Sequence, residues 1–238
     1  MVVPKTESRE TPDNTQSLLI VLLVIIAGGL RLPKIGIPLY DQEYLTLFWF
    51  GEIPWKTLLF EYINGGQHTF VAVLWRITKA IFGENEIAFW SGAWVPGILA
   101  IPLLFKIVVL LFRSNSAGFI AGSMLAFSYL HLKWSLIVRG YSPTVFLSLA
   151  ATYCVIKLIF LRRSVIWGTL LILTGFSLVL TIPINSMFLI GLTMFYLIST
   201  WGENKRITGF FSVGFLKEFT PFLILWIIVF LYFIQIYP

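Results

Sequence analysis

Long apolar runs, separated by short polar segments, constrain the fold of this chain more than any other feature. A membrane-spanning helix needs about 20 mostly apolar residues, and several runs approach that length. Backbone groups inside a bilayer must be hydrogen-bonded within the chain, so such runs predict helices. The predicted fold is therefore an all-α polytopic membrane protein with seven transmembrane helices, at residues 17–32, 88–112, 117–132, 143–161, 165–181, 186–200 and 219–236.

Composition places the chain in the same class. It is 58% apolar and only 12% charged, whereas soluble domains contain about 25% charged residues. A net charge of +6 could indicate nucleic-acid binding, but the basic residues are scattered between the apolar runs and form no patch. Cys154 is the only cysteine and lies inside an apolar run, so neither a disulfide nor a thiolate metal site is predicted.

The distribution of basic residues predicts the orientation. Arg113, Arg162 and Lys205 fall in alternate short loops, which the positive-inside rule assigns to the cytoplasm. Residues 1–16 are then a disordered cytoplasmic tail, and 17–238 form one membrane domain of a plasma-membrane protein, with the C-terminus outside. The first run is not followed by a small-residue cleavage site, so it is expected to be retained, with Arg31 snorkelling to the interface at its end.

The long first outer loop, residues 33–87, contains six of the eleven acidic residues, and no Asp or Glu occurs between 87 and 202. Within this loop, His68–Phe82 has an amphipathic pattern with Arg76 and Lys79 on its polar face. A helix of this length spans about 22 Å, too short for a hydrocarbon core of roughly 30 Å. It predicts an interfacial helix, and Tyr44–Phe50 predicts a second, aromatic-rich one.

Asp41 is the first candidate for chemistry, because carboxylates beside a bilayer often mark functional sites. Its alternative role is to cap the helix that starts near Gln42. Glu43 lies two residues further on and would point about 200° away on a helix, so the two carboxylates are not expected to act as a pair. One of them is expected to be functional and the other to face solvent or lipid head groups. Glu43 is a possible substrate-binding residue. His68, at the start of the amphipathic helix, is a candidate for substrate binding or an ordinary polar interfacial residue.

Arg139 is predicted to lie on the same side of the membrane as Asp41, in the break after the third run. A guanidinium at the interface can bind a phosphate through two donors, and the hydroxyls of Tyr141 and Ser142 could add hydrogen bonds. Gly140 would let the backbone come close. The alternative is a snorkelling arginine beside an interfacial tyrosine. The sequence contains no His–Cys cluster for a transition metal, so no metal ligands are predicted.

The order of these segments resembles the GT-C superfamily of glycosyltransferases, which includes the dolichyl-phosphate-mannose protein mannosyltransferases and the lipid A aminoarabinose transferases. Residues 39–44 (Leu-Tyr-Asp-Gln-Glu-Tyr) look like the Asp-Glu motif of the first outer loop in that family. Residues 66–70 and 82–86 are similar to the segments that open and close its interfacial helix. Residues 135–142 look like its Ser-Gln-Glu-Ala-Arg-Gly-Tyr-Ser segment, and the break at 181–183 also recurs.

The resemblance implies a seven-span GT-C core and an inverting transfer of a sugar from a polyprenyl-phosphate donor to an acceptor hydroxyl. Asp41 would be the general base, and Arg139 would hold the donor phosphate. The acceptor could be a glycan, a lipid or a protein, and a divalent metal is possible. Gln42 stands where the family usually has Glu, and Leu136 and Ile137 replace Gln-Glu. These departures leave any second carboxylate role open.

Two other functional classes compete with this interpretation. A non-catalytic accessory or scaffold subunit in envelope polysaccharide or glycoconjugate assembly would tolerate Gln42. A transporter or channel would need ionisable residues in mid-span positions. Only Lys106 and Lys157 approach such positions, and both can snorkel to the inner interface.

Overall fold

The computed structural model describes residues 14–32, 43, 48–63, 66–161, 164–201 and 213–236. Every regular element within these ranges is helical, as predicted. The helices are α1 (Asn14–Arg31), α2 (Phe50–Glu52), α3 (Trp55–Phe60), α4 (Thr69–Phe82), α5 (Glu86–Phe112), α6 (Asn115–Phe127), α7 (Tyr129–Trp134), α8 (Tyr141–Phe160), α9 (Val165–Thr181), α10 (Ser186–Trp201) and α11 (Val213–Ile236), with a 3₁₀ turn at Pro183–Asn185.

Several helical segments are long and apolar enough to cross a membrane, which suggests a membrane protein. Five of the described segments meet this condition: Asn14–Arg31, Ala88–Phe112, Tyr141–Phe160, Pro183–Thr200 and Lys217–Ile236. The other two predicted spans form shorter helices. α9 has 17 residues, at the lower limit for crossing a bilayer. α6 has only 13 residues.

The third predicted span, residues 117–132, is not one continuous helix. α6 ends at Phe127, and Ser128 adopts an extended conformation (φ −61°, ψ 118°). The Ser128 hydroxyl then accepts a hydrogen bond from the backbone N–H of His131 and caps α7. Serine competes with the helix for backbone groups in this way, which explains the interruption inside an apolar run.

The first helix differs from its prediction at both ends. α1 already includes Asn14, which the sequence assigned to the tail; residues 1–13 lie outside the described residues. Arg31 does not snorkel: its side chain is fully buried, and its Nε donates to the Ser135 hydroxyl at 2.8 Å. A guanidinium can turn inward when buried oxygens accept its hydrogen bonds.

Two apolar clusters hold the bundle together. One unites α8 to α11 around Leu178, Tyr196 and Phe222, and the other joins α1, α5 and α6 around Leu23 and Phe105. α5 contacts α1, α4, α6 and α8 and so connects the two groups. Large apolar side chains remain exposed on the outer surface of the helices, as expected for a lipid-facing protein; examples are Leu18, Met124, Ile198 and Phe230.

The predicted amphipathic helix is present as α4, Thr69–Phe82. Val71, Ala72 and Trp75 are buried against the protein, whereas Ile77 and Ile81 are 48% and 66% exposed. One apolar face of the helix therefore packs against the bundle, and further apolar side chains point away from the bundle. This arrangement suits a helix at a membrane interface.

The two cations of α4 have polar partners within residues 50–84. Arg76 donates to the carbonyls of Phe50 and Ile53, and Lys79 forms ion pairs with Glu52 and Glu84. The hydrogen bonds from Lys79 to the two carboxylates raise the pKa of its ammonium group. These contacts fasten α2 and the end of α4 to each other. The first residues of the other predicted interfacial helix, 44–47, lie outside the described residues.

Candidate functional site

Five of the six sequence-predicted site residues are described: Glu43, His68, Arg139, Tyr141 and Ser142. All of them except Ser142 come together. They meet at the start of α4, the end of α9 and the turn before α8. Ser142 lies beside them, and its hydroxyl bonds into α5. Asp41, the predicted general base, lies outside the described residues.

His68 is at the centre of this cluster. It precedes the first residue of α4 and is only 3% exposed. Its Nδ1 lies 3.2 Å from the carbonyl oxygen of Thr181, and its Nε2 lies 3.1 Å from the Nε of Arg139. A carbonyl can only accept and an arginine can only donate, so the proton is assigned to Nδ1 and the lone pair to Nε2. The network thus selects one neutral tautomer.

The electrostatics of the cluster agree with that assignment. Burial lowers the pKa of His68 to about 4; the hydrogen bond to Thr181 opposes this shift, and the charge of Arg139 adds to it. A protonated imidazole would lose its acceptor and place two cations side by side. His68 therefore acts as a neutral acceptor that orients Arg139, and is poorly suited to act as a general acid at neutral pH.

Arg139 is half-buried in the turn between α7 and α8. Its guanidinium carbon lies 5.5 Å from the centre of the Tyr141 ring, a cation–π contact. Tyr141 also packs against Trp134 and His68, at ring-centre distances of 4.2 and 6.0 Å. The aromatic rings and the imidazole together restrict the orientations available to the guanidinium.

Glu43 is almost fully buried, at 1% exposed. Its Oε1 accepts a hydrogen bond of 2.6 Å from the backbone N–H of Val138, the residue before Arg139. The sequence predicted that whichever of Asp41 and Glu43 was not functional would face solvent or lipid head groups. Glu43 instead points inward, and its bond to Val138 stabilises the turn that carries Arg139.

Gly140 allows this turn to approach its neighbours. A Cβ added at Gly140 would lie 2.8 Å from both His68 Nδ1 and the Thr181 methyl group. Real Cβ atoms do not come this close to other atoms, so any larger residue would push the turn away from His68. The close approach predicted for Gly140 is therefore real, and its partners are side chains of the protein.

Ser142 does not fit its predicted role as a phosphate donor. It is completely buried, and its hydroxyl donates to the carbonyl of Ala93 in α5 at 2.7 Å. The single hydroxyl proton is already used by that bond. Ser142 therefore joins α8 to α5, and the sequence pattern alone could not distinguish this role from ligand binding.

Thr181 is a site residue that the sequence did not predict. It is the last residue of α9, and the carbonyls at a helix C-terminus have no partner within the helix. The helix does not continue past Pro183, and the N–H of Asn185, which would pair with Thr181 in a longer helix, donates to Ile182 instead. The Thr181 carbonyl therefore accepts from His68. The predicted break at residues 181–183 was the available signal, because a proline after a helix leaves unpaired carbonyls before it.

An apolar cavity of about 360 Å³ lies next to this cluster, between α6, α7 and the start of α8. Tyr141, Ser142 and His131 are among the residues that line it. Its remaining lining is mainly apolar and consists of Leu125, Ser128, Leu130, Trp134, Thr144, Val145 and Ile182. Such a lining suits an apolar chain better than a sugar.

Within the described residues, no group of three or more His, Cys, Asp or Glu side chains is arranged to hold a metal ion. Glu43 and His68 instead bond to protein groups, at Val138, Thr181 and Arg139. The arrangement offers an oriented guanidinium, a half-buried tyrosine and an adjoining apolar cavity. The sequence matches no protein-family model, and comparisons with curated proteins and with solved structures gave no match.

Proposed function

We propose that the protein is a membrane glycosyltransferase of the GT-C type, which transfers a sugar from a polyprenyl-phosphate donor to an acceptor hydroxyl. The observation that supports this proposal is the convergence of Glu43, His68, Arg139 and Thr181. Each belongs to a separate segment for which the sequence resembles that superfamily. These segments are far apart in the chain, and their contact in the fold is what a single site would require.

The proposed reaction gives roles to Arg139 and Asp41. Arg139 binds the donor phosphate through its Nη groups while Nε remains bonded to His68. Asp41 removes the proton from the acceptor hydroxyl, whose oxygen attacks the anomeric carbon. The bond from that carbon to the phosphate oxygen breaks with inversion, and the polyprenyl phosphate leaves. The guanidinium stabilises the negative charge that develops on the leaving phosphate.

The proposal includes seven spans, an N-terminus in the cytoplasm and loop 33–87 outside. α9 can cross a thin or locally thinned region as a short span, and α6 with α7 can cross as a broken one. Labelling of single-cysteine variants with a membrane-impermeant thiol reagent tests this topology. Glu84→Cys should react in intact cells, and Arg113→Cys should react only after permeabilisation. The reverse pattern would put the site on the cytoplasmic side and end the proposal.

The catalytic role of Asp41 is tested by Asp41→Asn. We expect transfer of radiolabelled sugar from a polyprenyl-phosphate donor to fall by about 10²–10⁴-fold, the usual effect of losing a general base. Thermal stability should stay nearly unchanged, because Asn caps a helix almost as well as Asp. Asp13→Asn is the matched control in the predicted tail. Normal transfer by Asp41→Asn would refute the assignment.

The donor-binding role of Arg139 is tested by Arg139→Lys, which keeps the charge. A lysine has no second, fixed donor for a bidentate contact and cannot retain the Nε bond to His68 at the same time. Binding of a short-chain polyprenyl phosphate in nanodiscs should weaken by about 1.5–3 kcal/mol. Equal binding by the wild type and the variant would leave Arg139 as a structural residue.

A second candidate, a non-catalytic accessory subunit, has its own support. The side chains of Glu43, His68 and Ser142 form hydrogen bonds to backbone groups of other segments and so join parts of the bundle. The same convergence could therefore stabilise a scaffold. The transfer experiment distinguishes the two functions. A scaffold should show no sugar transfer even as the wild type, and Asp41→Asn should leave its assembly normal.

A further inference from the structure

A second buried polar cluster lies at the end of α1 and involves none of the proposed donor-binding groups. Arg31 is completely buried. Its Nε donates to the Ser135 hydroxyl and its Nη1 to the carbonyl of Ala27, each at 2.8 Å. Its Nη2 is buried and has no hydrogen-bond partner among the described residues.

No carboxylate among the described residues forms an ion pair with Arg31. The two bonded oxygens, a hydroxyl and a carbonyl, are neutral. A buried cation with only neutral partners is among the most costly features that a protein can contain. The site is therefore suited to a negatively charged group that also accepts hydrogen bonds.

His131 provides a second unpartnered atom in the same region. It lies four residues before Ser135, whose backbone N–H donates to the His131 carbonyl, so the two face the same side of the helix. It is 6% exposed, and its Nε2 donates to the carbonyl of Gly97 at 2.9 Å. Since the proton is on Nε2, Nδ1 is an acceptor, and it has no partner among the described residues. The imidazole is close enough to interact with the charge of Arg31.

We propose that Arg31 and His131 bind a singly protonated phosphate-type group: Nη2 of Arg31 donates to an oxygen of the group, and Nδ1 of His131 accepts from its P–OH. Ser135 positions Arg31 and adds no donor, because its hydroxyl proton is used by the carbonyl of Leu132. This proposal does not depend on the glycosyltransferase function. Arg31 is the last residue of a helix long and apolar enough to span the membrane, and its guanidinium turns back by one helical turn to Ala27. A lipid head group at that end of the helix would be within about one turn of it. His131 also lines the apolar cavity, where a lipid chain could lie.

The oxyanion could be a free phosphate or the head group of an anionic lipid, and two probes distinguish them. The first is radiolabelled inorganic phosphate, with binding measured by equilibrium dialysis in detergent. The second is phosphatidic acid, with retention measured by native mass spectrometry against phosphatidylcholine of the same chains. Binding of phosphate shows a soluble-anion site, and selective retention of phosphatidic acid alone shows a lipid site. Either outcome supports the proposal if it depends on Arg31.

The test variants are Arg31→Met and Arg31→Lys, with Arg113→Met as the matched control. Arg113 is an exposed arginine at the end of another apolar helix. We expect binding to weaken at least tenfold in both Arg31 variants, about the effect of losing one charge-assisted hydrogen bond, and to be unchanged in Arg113→Met. The ligand should also raise the Tm of the wild type but not of Arg31→Met.

Arg31→Lys keeps the charge and gives a result even if Arg31→Met fails to fold. Arg139→Lys distinguishes this site from the proposed donor site, because it should retain binding at Arg31. If neither probe binds, or if binding is lost in Arg139→Lys and kept in the Arg31 variants, the proposal is wrong. If sugar transfer is absent but the ligand still binds at Arg31, only the proposed glycosyltransferase function is refuted.

Discussion

Acidification should destabilise the protein through His68, and the structure gives the size of the effect. The imidazole has an ordinary pKa of 6.5 in the unfolded chain and about 4 in the folded one. At about 1.4 kcal/mol per pKa unit, this difference corresponds to roughly 3 kcal/mol. His68 is only 3% exposed, so solvent screening removes little of this value.

The sign follows from which state binds the proton. Between pH 6.5 and about 4 the unfolded chain is protonated at this position and the folded chain is not. Unfolding then takes up a proton, and the free energy of unfolding falls as the pH falls. Above pH 6.5 the contribution of His68 is fully present, and below about pH 4 it has been lost.

The measurement is reversible unfolding in detergent at several pH values, for the wild type and for His68→Gln. His131 is present in both proteins, so its titration cancels in the comparison. The stability difference between the two proteins should shrink by about 3 kcal/mol between pH 6.5 and 4, with most of the change complete near pH 4.5. Parallel pH profiles would show that His68 is not held neutral, and the inferred tautomer would be refuted.

Three further predictions concern the same end of the bundle. Gly140→Ala should lower the free energy of unfolding by about 1–3 kcal/mol, because its Cβ would collide with His68. Thermal unfolding measures this loss. Gly29→Ala is the control and should cause no loss, because a Cβ there meets nothing within 4 Å. Glu43→Ala leaves the buried N–H of Val138 unpaired and should lower the free energy of unfolding by about 1–3 kcal/mol, measured with denaturant. Glu43→Gln retains an acceptor and should lose less stability. Equal losses in the two variants would contradict the role of this bond. Lys79→Met should leave the denaturant midpoint nearly unchanged at high salt, because its ion pairs are solvent-exposed and screened; a clearly lower midpoint would show that these pairs are structural.

The linear sequence was sufficient for the helical membrane class and for most helix positions. α9 matches its predicted range, and α4 differs by one residue. Both results follow from local causes: apolar runs require helices in a bilayer, and Pro183 prevents α9 from continuing. The interruption at Ser128 was missed because a serine inside an apolar run can either continue a helix or cap a new one.

The partners of the polar residues depended on the tertiary structure alone. From the sequence, Arg31 and Arg139 both looked like interfacial arginines, and Ser142 looked like a ligand donor. The fold buries Arg31 beside Ser135, joins Arg139 to His68 and uses the Ser142 hydroxyl to bind α5. Periodicity shows which residues are apolar and where helices end, but a hydrogen bond between residues 71 or 104 positions apart is decided by how the helices pack.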